Sequence, residues 1–252
     1  MTNTELREKI KEVRKKHVAR KRFSPADRSN NGEILESIIY GANDGIITTF
    51  AIIAGVAGAD LSRSIVLILG LANVLADGIS MGMSNYLGAT SRLAYEEARQ
   101  KDEEWEIKHI PEQERREIAD VYREKGFKGA LLNDVVGVIT SDKKQWIDEM
   151  MLWEHGVLPH ASISPAKKGW ITFWSFVVAG LLPLTPYILP IHPTNYFITS
   201  IIATALTLFG VGAARSTVTD ISWWKSGIQM LGVGTLAATA AYVVGALLQR
   251  LT

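Results

Sequence analysis

The stretch IIYGANDGIITTFAIIAGVAG, residues 38–58, decides how the chain is read. Almost every residue in it is apolar or small. A helix crossing a bilayer needs about 20 such residues. Near its start, in GANDG at 41–45, stand Asn43 and Asp44. Charge is costly in hydrocarbon, so an intramembrane carboxylate faces a bundle interior or a water-filled path and marks function. What Asp44 serves depends on the rest of the chain.

Around this first span, roughly 34–59, four further windows have the length and apolarity of a membrane helix: roughly 64–90, 169–191, 195–214 and 226–249. The tight GADLSR joins spans one and two, and PIHPTN, with two prolines, joins spans three and four. Both read as short turns between antiparallel helices. The expected architecture is an all-α membrane protein: a basic arm at 1–33, two spans within 34–91, a soluble helical insert at 92–168, and three spans within 169–252.

Charge supports this division. The 252 residues have a formal net charge of only +1, but the charges are sorted into blocks. Residues 1–30 carry ten Lys/Arg against four acids, and residues 92–168 carry 16 of the 26 acids. Residues 169–252 carry only Arg215, Asp220, Lys225 and Arg250. Positive charge favours the cytoplasmic side. The arm, with Arg14, Lys15, Lys16, Arg20, Lys21 and Arg22, is therefore expected in the cytoplasm, together with the insert. Five spans then leave the C-terminus outside. The arm has no apolar core, so no cleavable signal peptide is expected. Without cysteine there are no disulfides and no thiolate metal sites.

The insert reads as about three helices. One runs over about 92–108 and is expected to continue span two, one opens at Pro111 and stops at Gly126, and one covers about 142–155 behind a Ser/Asp cap. A domain of this size has a thin core, and a partner or metal would stiffen it.

Span two, LGLANVLADGISMGMSNYLG, carries Asn73, Asp77, Ser80, Met81, Ser84 and Asn85. Asn73, Asp77, Ser80/Met81 and Ser84 recur at helical steps and share one face. Asp44 and Asp77 each lie about 10 residues from the cytoplasmic end of their spans, roughly 15 Å deep at 1.5 Å per residue. Two carboxylates at matched depth make a cation site, and the Met81 thioether favours a transition metal over Mg²⁺ or Ca²⁺. Asn43, Asn73 and Ser84 read equally well as hydrogen-bonding glue between helices, and the methionines as packing. Gly41, Gly45, Gly55 and Gly58 read as close helix contacts. In the insert, Glu103/Glu106, Glu114/Glu117 and Met150/Glu154, with Met151 and His155 adjacent, place donors on shared helix faces. Acidic helical faces are also commonly just solvated.

GANDGIITTFAIIAGVAGA in span one, DGISMGMSNYLG in span two, EIADVYREKGF in the insert and AGLLPLTPY in span three resemble the vacuolar iron transporter family. The resemblance covers nearly everything after the arm. It implies a five-span homodimer that moves Fe²⁺, and often Mn²⁺, out of the cytosol in exchange for protons, with a cytoplasmic three-helix domain that collects the metal. Carried over by position, it makes Asp44 and Met81 translocation residues. Glu103, Glu106, Glu114, Glu117, Met150, Met151 and Glu154 become cytoplasmic metal ligands. Two departures stand out. Ser84 and Asn85 replace a common Gly-Glu pair, and Asp77 falls where many members have a small residue. Asp77 is expected to take over part of the missing Glu's role, and the expected transport pathway comprises Asp44, Asn43, Asp77, Met81, Asn73 and Asn85. The expected location is a prokaryotic cell membrane, and the expected partners are lipid, divalent metal, protons and a second copy.

Rival classes fit less well. A membrane-anchored metal sensor or buffer would not need carboxylates in its spans. An oxidase of the di-iron kind wants a pair of Glu-x-x-His motifs, which His109, His155 and His160 do not supply. Nucleic-acid binding by the arm is not expected, because basic clusters beside spans set topology or touch anionic lipid.

Overall fold

A computed structural model describes residues 8, 10–11, 25–158, 163–189, 195–216 and 221–251. The basic cluster of the arm, His160, the turn at 190–194 and Asp220 lie outside the described residues. The elements are α1 (Pro25–Gly58), α2 (Arg63–His109), α3 (Pro111–Glu124), α4 (Gly129–Ser141), α5 (Lys143–Trp153), α6 (Pro165–Leu181), α7 (Thr185–Ile188), α8 (Tyr196–Arg215) and α9 (Trp223–Gln249). Among the described residues there is no strand. Two compact units emerge, one of residues 1–29 and 88–162, the other of 30–87 and 163–252. Residues of α2 contribute to both.

The second unit is apolar outside, and inside it buries hydroxyls among apolar residues that include Phe50, Ile53, Phe176 and Leu184. Ile68, Leu71, Leu75, Ile79, Met83 and Leu87 lie exposed along α2, while Ser200, Thr204 and Ser226 are buried. In water this pattern would be an aggregation liability. In lipid it is the expected one, because helices associate through small residues and hydroxyls rather than through exclusion of oil. Four helical segments are long and apolar enough to span: Asn30–Gly58 in α1, and α2, α8 and α9.

The third expected span differs. Its helix is 17 residues, α6, and stops at Leu181 before the one-turn α7. Pro183 and Pro186 cause the break. Proline lacks the N–H that would continue the ladder, and it disfavours helical backbone in the residue before it. The chain passes through three-residue turns, with Leu184 N donating to Leu181 O and Thr185 N to Leu182 O.

Close backbone approach explains the glycines of span one. A Cβ on Gly45 would lie 2.4 Å from Phe176 O, and one on Gly58 2.3 Å from Tyr242 O. Helix α1 is thereby pressed against α6 at one level and α9 at another. It turns into α2 through Asp60, at φ +52°, a left-handed position that Asp tolerates better than most residues.

The insert unit has a conventional core. Ile107, Ile118, Ile139, Trp146, Ile147, Met150 and Met151 are buried together. The Asp142 side chain caps α5 by accepting from Gln145 N at 2.8 Å. Pro111 starts α3, and Gly126, at φ +99°, follows its end, as the sequence indicates. Helix α4 is an addition to the three expected. GALLNDVVGVITS is rich in β-branched residues and glycine, which weakens its local helix signal. Leu132 and Ile139 are buried at seven-residue spacing, and packing overrides propensity.

Candidate metal centre and intramembrane polar path

Helix α2 brings Glu103 and Glu106 onto one face, three residues apart, and α3 brings up Glu114. Donor oxygens of these three lie within 4.8 Å of one another. Donors of Glu103, Glu154 and His155 form a second group of the same tightness, so Glu103 is common to both. Glu154 and His155 follow α5 directly. Glu103 and Glu114 are each only 1 % exposed. The Oε2 atoms of both have no hydrogen-bond partner among the described residues. Buried ionised groups are normally paired or bind metal, so gathering several carboxylates here with one imidazole is unfavourable unless protons or a cation join them.

The electrostatics follow. Burial pushes the Glu114 carboxyl up to about 7, and repulsion from Glu117, Glu103, Glu106 and Glu154 adds to it. Burial likewise raises Glu103, opposed by its hydrogen bond from His155 and reinforced by Glu154. Glu154 is raised chiefly by burial. Glu117, half-buried, acts on Glu114 and Glu154 through its charge. A buried carboxylate whose proton is held up to about pH 7, as at Glu114, can exchange that proton for a divalent ion.

Met150 and Met151 are 3 % and 7 % exposed, and both pack in the insert's apolar core.

In the other unit, Asn43 and Asp44 are half-buried on α1, and Asn73, Asp77, Met81 and Asn85 are half-buried along α2 at four-residue steps. Ser80 and Ser84 are exposed. The face expected from sequence is therefore continued by Asn85 rather than Ser84, because Gly78 and Gly82 turn inward toward α6. The charge of Asp77 acts on Asp44. Asn43 Oδ1 and Asn73 Nδ2 are buried without a hydrogen-bond partner among the described residues. Asn85 has the glue role: its Nδ2 donates to Thr172 Oγ1 at 2.6 Å and reaches Ser37 Oγ at 3.4 Å, tying α2 to α6 and α1. Beside it, Glu33 accepts from Lys168 Nζ at 3.1 Å and from Ile163 N at 3.2 Å.

The chain that carries these two sets of donors is similar to known proteins over most of its length. A model of the VIT family matches residues 35–246. The chain belongs to the VIT family. It is 36 % identical to the protein named vacuolar iron transporter of Toxoplasma gondii, over 88 % of this chain and 76 % of that one. It is 32 % identical to vacuolar iron transporter 1 of Arabidopsis thaliana, over 87 % and 88 %. A third relative, the vacuolar iron transporter of Plasmodium falciparum, is 34 % identical over 86 % and 82 %.

In this VIT-family chain, His155, noted in the sequence only as a neighbour of Glu154, is the donor missing from the expected ligand set. Its position beside Glu154 was a signal, but spacing along one helix does not show that the chain turns back after α5. One Glu-x-x-His spacing does occur, at Glu106 and His109. His109 is exposed, stacks on the Trp105 ring at 4.3 Å and contacts Trp105 O through Nδ1 at 2.7 Å, so it stands apart from the cluster.

Proposed function

We propose that this chain is a membrane transporter that carries Fe²⁺, and also Mn²⁺, out of the cytosol in exchange for protons, working as a homodimer. The observation that carries the reading is the pair of near-fully buried carboxylates, Glu103 and Glu114, each with an unpartnered oxygen, in a chain whose relatives are named iron transporters. The charge blocks support a cytosolic insert and N-terminus. Transport then runs from cytosol to the far side, whichever membrane holds the protein. Helix α6 spans about 26 Å at 1.5 Å per residue, and the turn and α7 complete the third crossing of a core about 30 Å thick.

The insert captures the ion through Glu103, Glu106, Glu114, Glu117 and Glu154, with Met150 and Met151 as soft neighbours. The ion passes to Asp44, Asp77 and Met81, with Asn43 and Asn73 supplying amide oxygens. Protonation and metal binding at a carboxylate are mutually exclusive. Protons arriving from the far side displace the ion there and return inward on the same carboxylates. Two copies lining one path would each supply half of the donors.

The test is metal uptake into proteoliposomes with an imposed pH gradient, for Fe²⁺, Mn²⁺ and Zn²⁺. The proposal expects Fe²⁺ uptake that needs the gradient and falls in Asp77→Ala. Wild-type protein that binds Fe²⁺ but moves none across the bilayer would make it a buffer or sensor instead.

A further inference from the structure

The proposed capture of metal by carboxylates leaves one donor unused. Helix α5 ends at Trp153. Glu154 N donates to Met150 O and Val157 N to Met151 O, and Gly156 takes φ +67°. That left-handed residue, which glycine adopts without penalty, turns the chain back on itself. His155 is carried onto Glu103 of α2, with its Nε2 at 2.8 Å from Glu103 Oε1. Its side chain is only 14 % exposed, against 1 % for Glu103. Glu154 brings a carboxylate oxygen to the same point. The other oxygen of Glu103 is buried and has no hydrogen-bond partner among the described residues.

We infer that His155, with Glu103 and Glu154, forms a mixed nitrogen and oxygen metal subsite that gives the insert its preference for transition metals over Mg²⁺ and Ca²⁺. The inference rests on the metal-capturing part of the proposed function and names its selectivity. Geometry supports direct ligation. Metal–nitrogen and metal–oxygen bonds of about 2.1 Å at right angles put neighbouring donors about 3 Å apart, close to the separation of Nε2 and Oε1. Chemistry supports it too. An all-carboxylate group, such as Glu103, Glu106 and Glu114, suits hard ions, whereas imidazole suits iron, nickel, copper and zinc. Glu103 belongs to both groups, so an ion held by the imidazole sits beside the all-oxygen set.

The test uses full-length protein in detergent micelles and Co²⁺ and Mg²⁺ as the probes. X-ray absorption of protein loaded with one equivalent of Co²⁺ is expected to show imidazole in the metal's coordination sphere, and His155→Gln is expected to remove it. The substitution should weaken Co²⁺ at least about 10-fold and leave Mg²⁺ unchanged. Co²⁺ bound by wild type without imidazole would overturn the inference while the capture reading stands. So would Co²⁺ and Mg²⁺ weakening together, which would make His155 a positioning residue for Glu103. Wild type that binds no Co²⁺ would overturn both. If His155→Gln fails to fold, His155→Ala read by the same spectrum replaces it, and a wild-type spectrum without imidazole overturns the inference with no variant at all.

Discussion

The two units handle carboxylates in opposite ways. The insert crowds Glu103, Glu106, Glu114, Glu117 and Glu154 together beside an imidazole. Around them an ordinary core of Ile107, Ile118, Trp146 and Ile147 turns its apolar side inward. Midway along their apolar stretches, the other helices hold the more widely spaced Asp44 and Asp77 amid exposed Leu and Ile, with glycines at several close contacts. A dense cluster, in which burial raises Glu114 to about 7 and also raises Glu103 and Glu154, suits capture of a cation in the proposed function. A sparse pair in a low-dielectric setting suits release, because few donors bind an ion less firmly and one proton per carboxylate is enough to displace it. In the proposed function, capture and passage would thus be built from the same chemical group at different density.

That contrast breaks most visibly at the helix contacts. Gly45→Leu puts a side chain where Phe176 O already stands at 2.4 Å from a bare Cβ. Backbone on both sides cannot yield, so a loss of about 3 kcal/mol or more is expected, read as a collapse of folded yield and thermal stability in detergent. Gly88→Ala, with nothing within 4 Å, is the neutral control. Next in size, the Glu103/Glu106→Ala double variant is expected to lose about 100-fold in metal affinity, the upper end of the usual cost of damaging a metal site. Transport at saturating metal should survive, and titration calorimetry beside uptake separates the two.

A smaller effect is set by pH. Glu114 titrates at about 7 in the folded insert against 4.5 in a free chain. The folded state therefore binds the extra proton between those values. Its stabilising contribution is complete below about 4.5 and is lost as pH rises through about 7. Burial-raised Glu103 and Glu154 act in the same direction. Amide hydrogen exchange over residues 103–118 of the metal-free chain, corrected for intrinsic rates, should show more protection at pH 5 than at pH 8. A divalent ion should restore it at pH 8. Stronger protection at pH 8 without metal would contradict the electrostatic account. Smallest, Asn85→Ala should cost about 1 kcal/mol of stability through its bond to Thr172 and leave metal binding intact.

Much of this was legible in the sequence because lipid imposes a blunt code. Charges were excluded from long blocks, so the spans, the insert and Asp44 stood out. Caps and stops at Pro111, Gly126 and Asp142 were local signals and were found where expected. Three features were not local. The break after Leu181 depends on how two prolines close together act on a helix that still reads as apolar. Helix α4 is held by packing of Leu132 and Ile139 against a domain that periodicity cannot see. His155 meets Glu103 across 52 positions through a turn at Gly156, and no spacing rule along one helix reaches that far. The alternatives for Asn85 and Ser84 needed side-chain directions, which the glycines facing α6 decide.

The account rests on the separation of capture from passage, and one preparation tests it. Asp44→Asn keeps the shape of the side chain and removes its charge. Fe²⁺ binding and gradient-driven Fe²⁺ uptake should be measured on the same reconstituted variant. The account expects binding equal to wild type and uptake reduced at least about 100-fold, the loss of a charge that directly meets the ion being worth about 3 kcal/mol or more. Uptake at the wild-type rate would show that the ion crosses without Asp44, and the intramembrane carboxylate would have to be read as a structural residue.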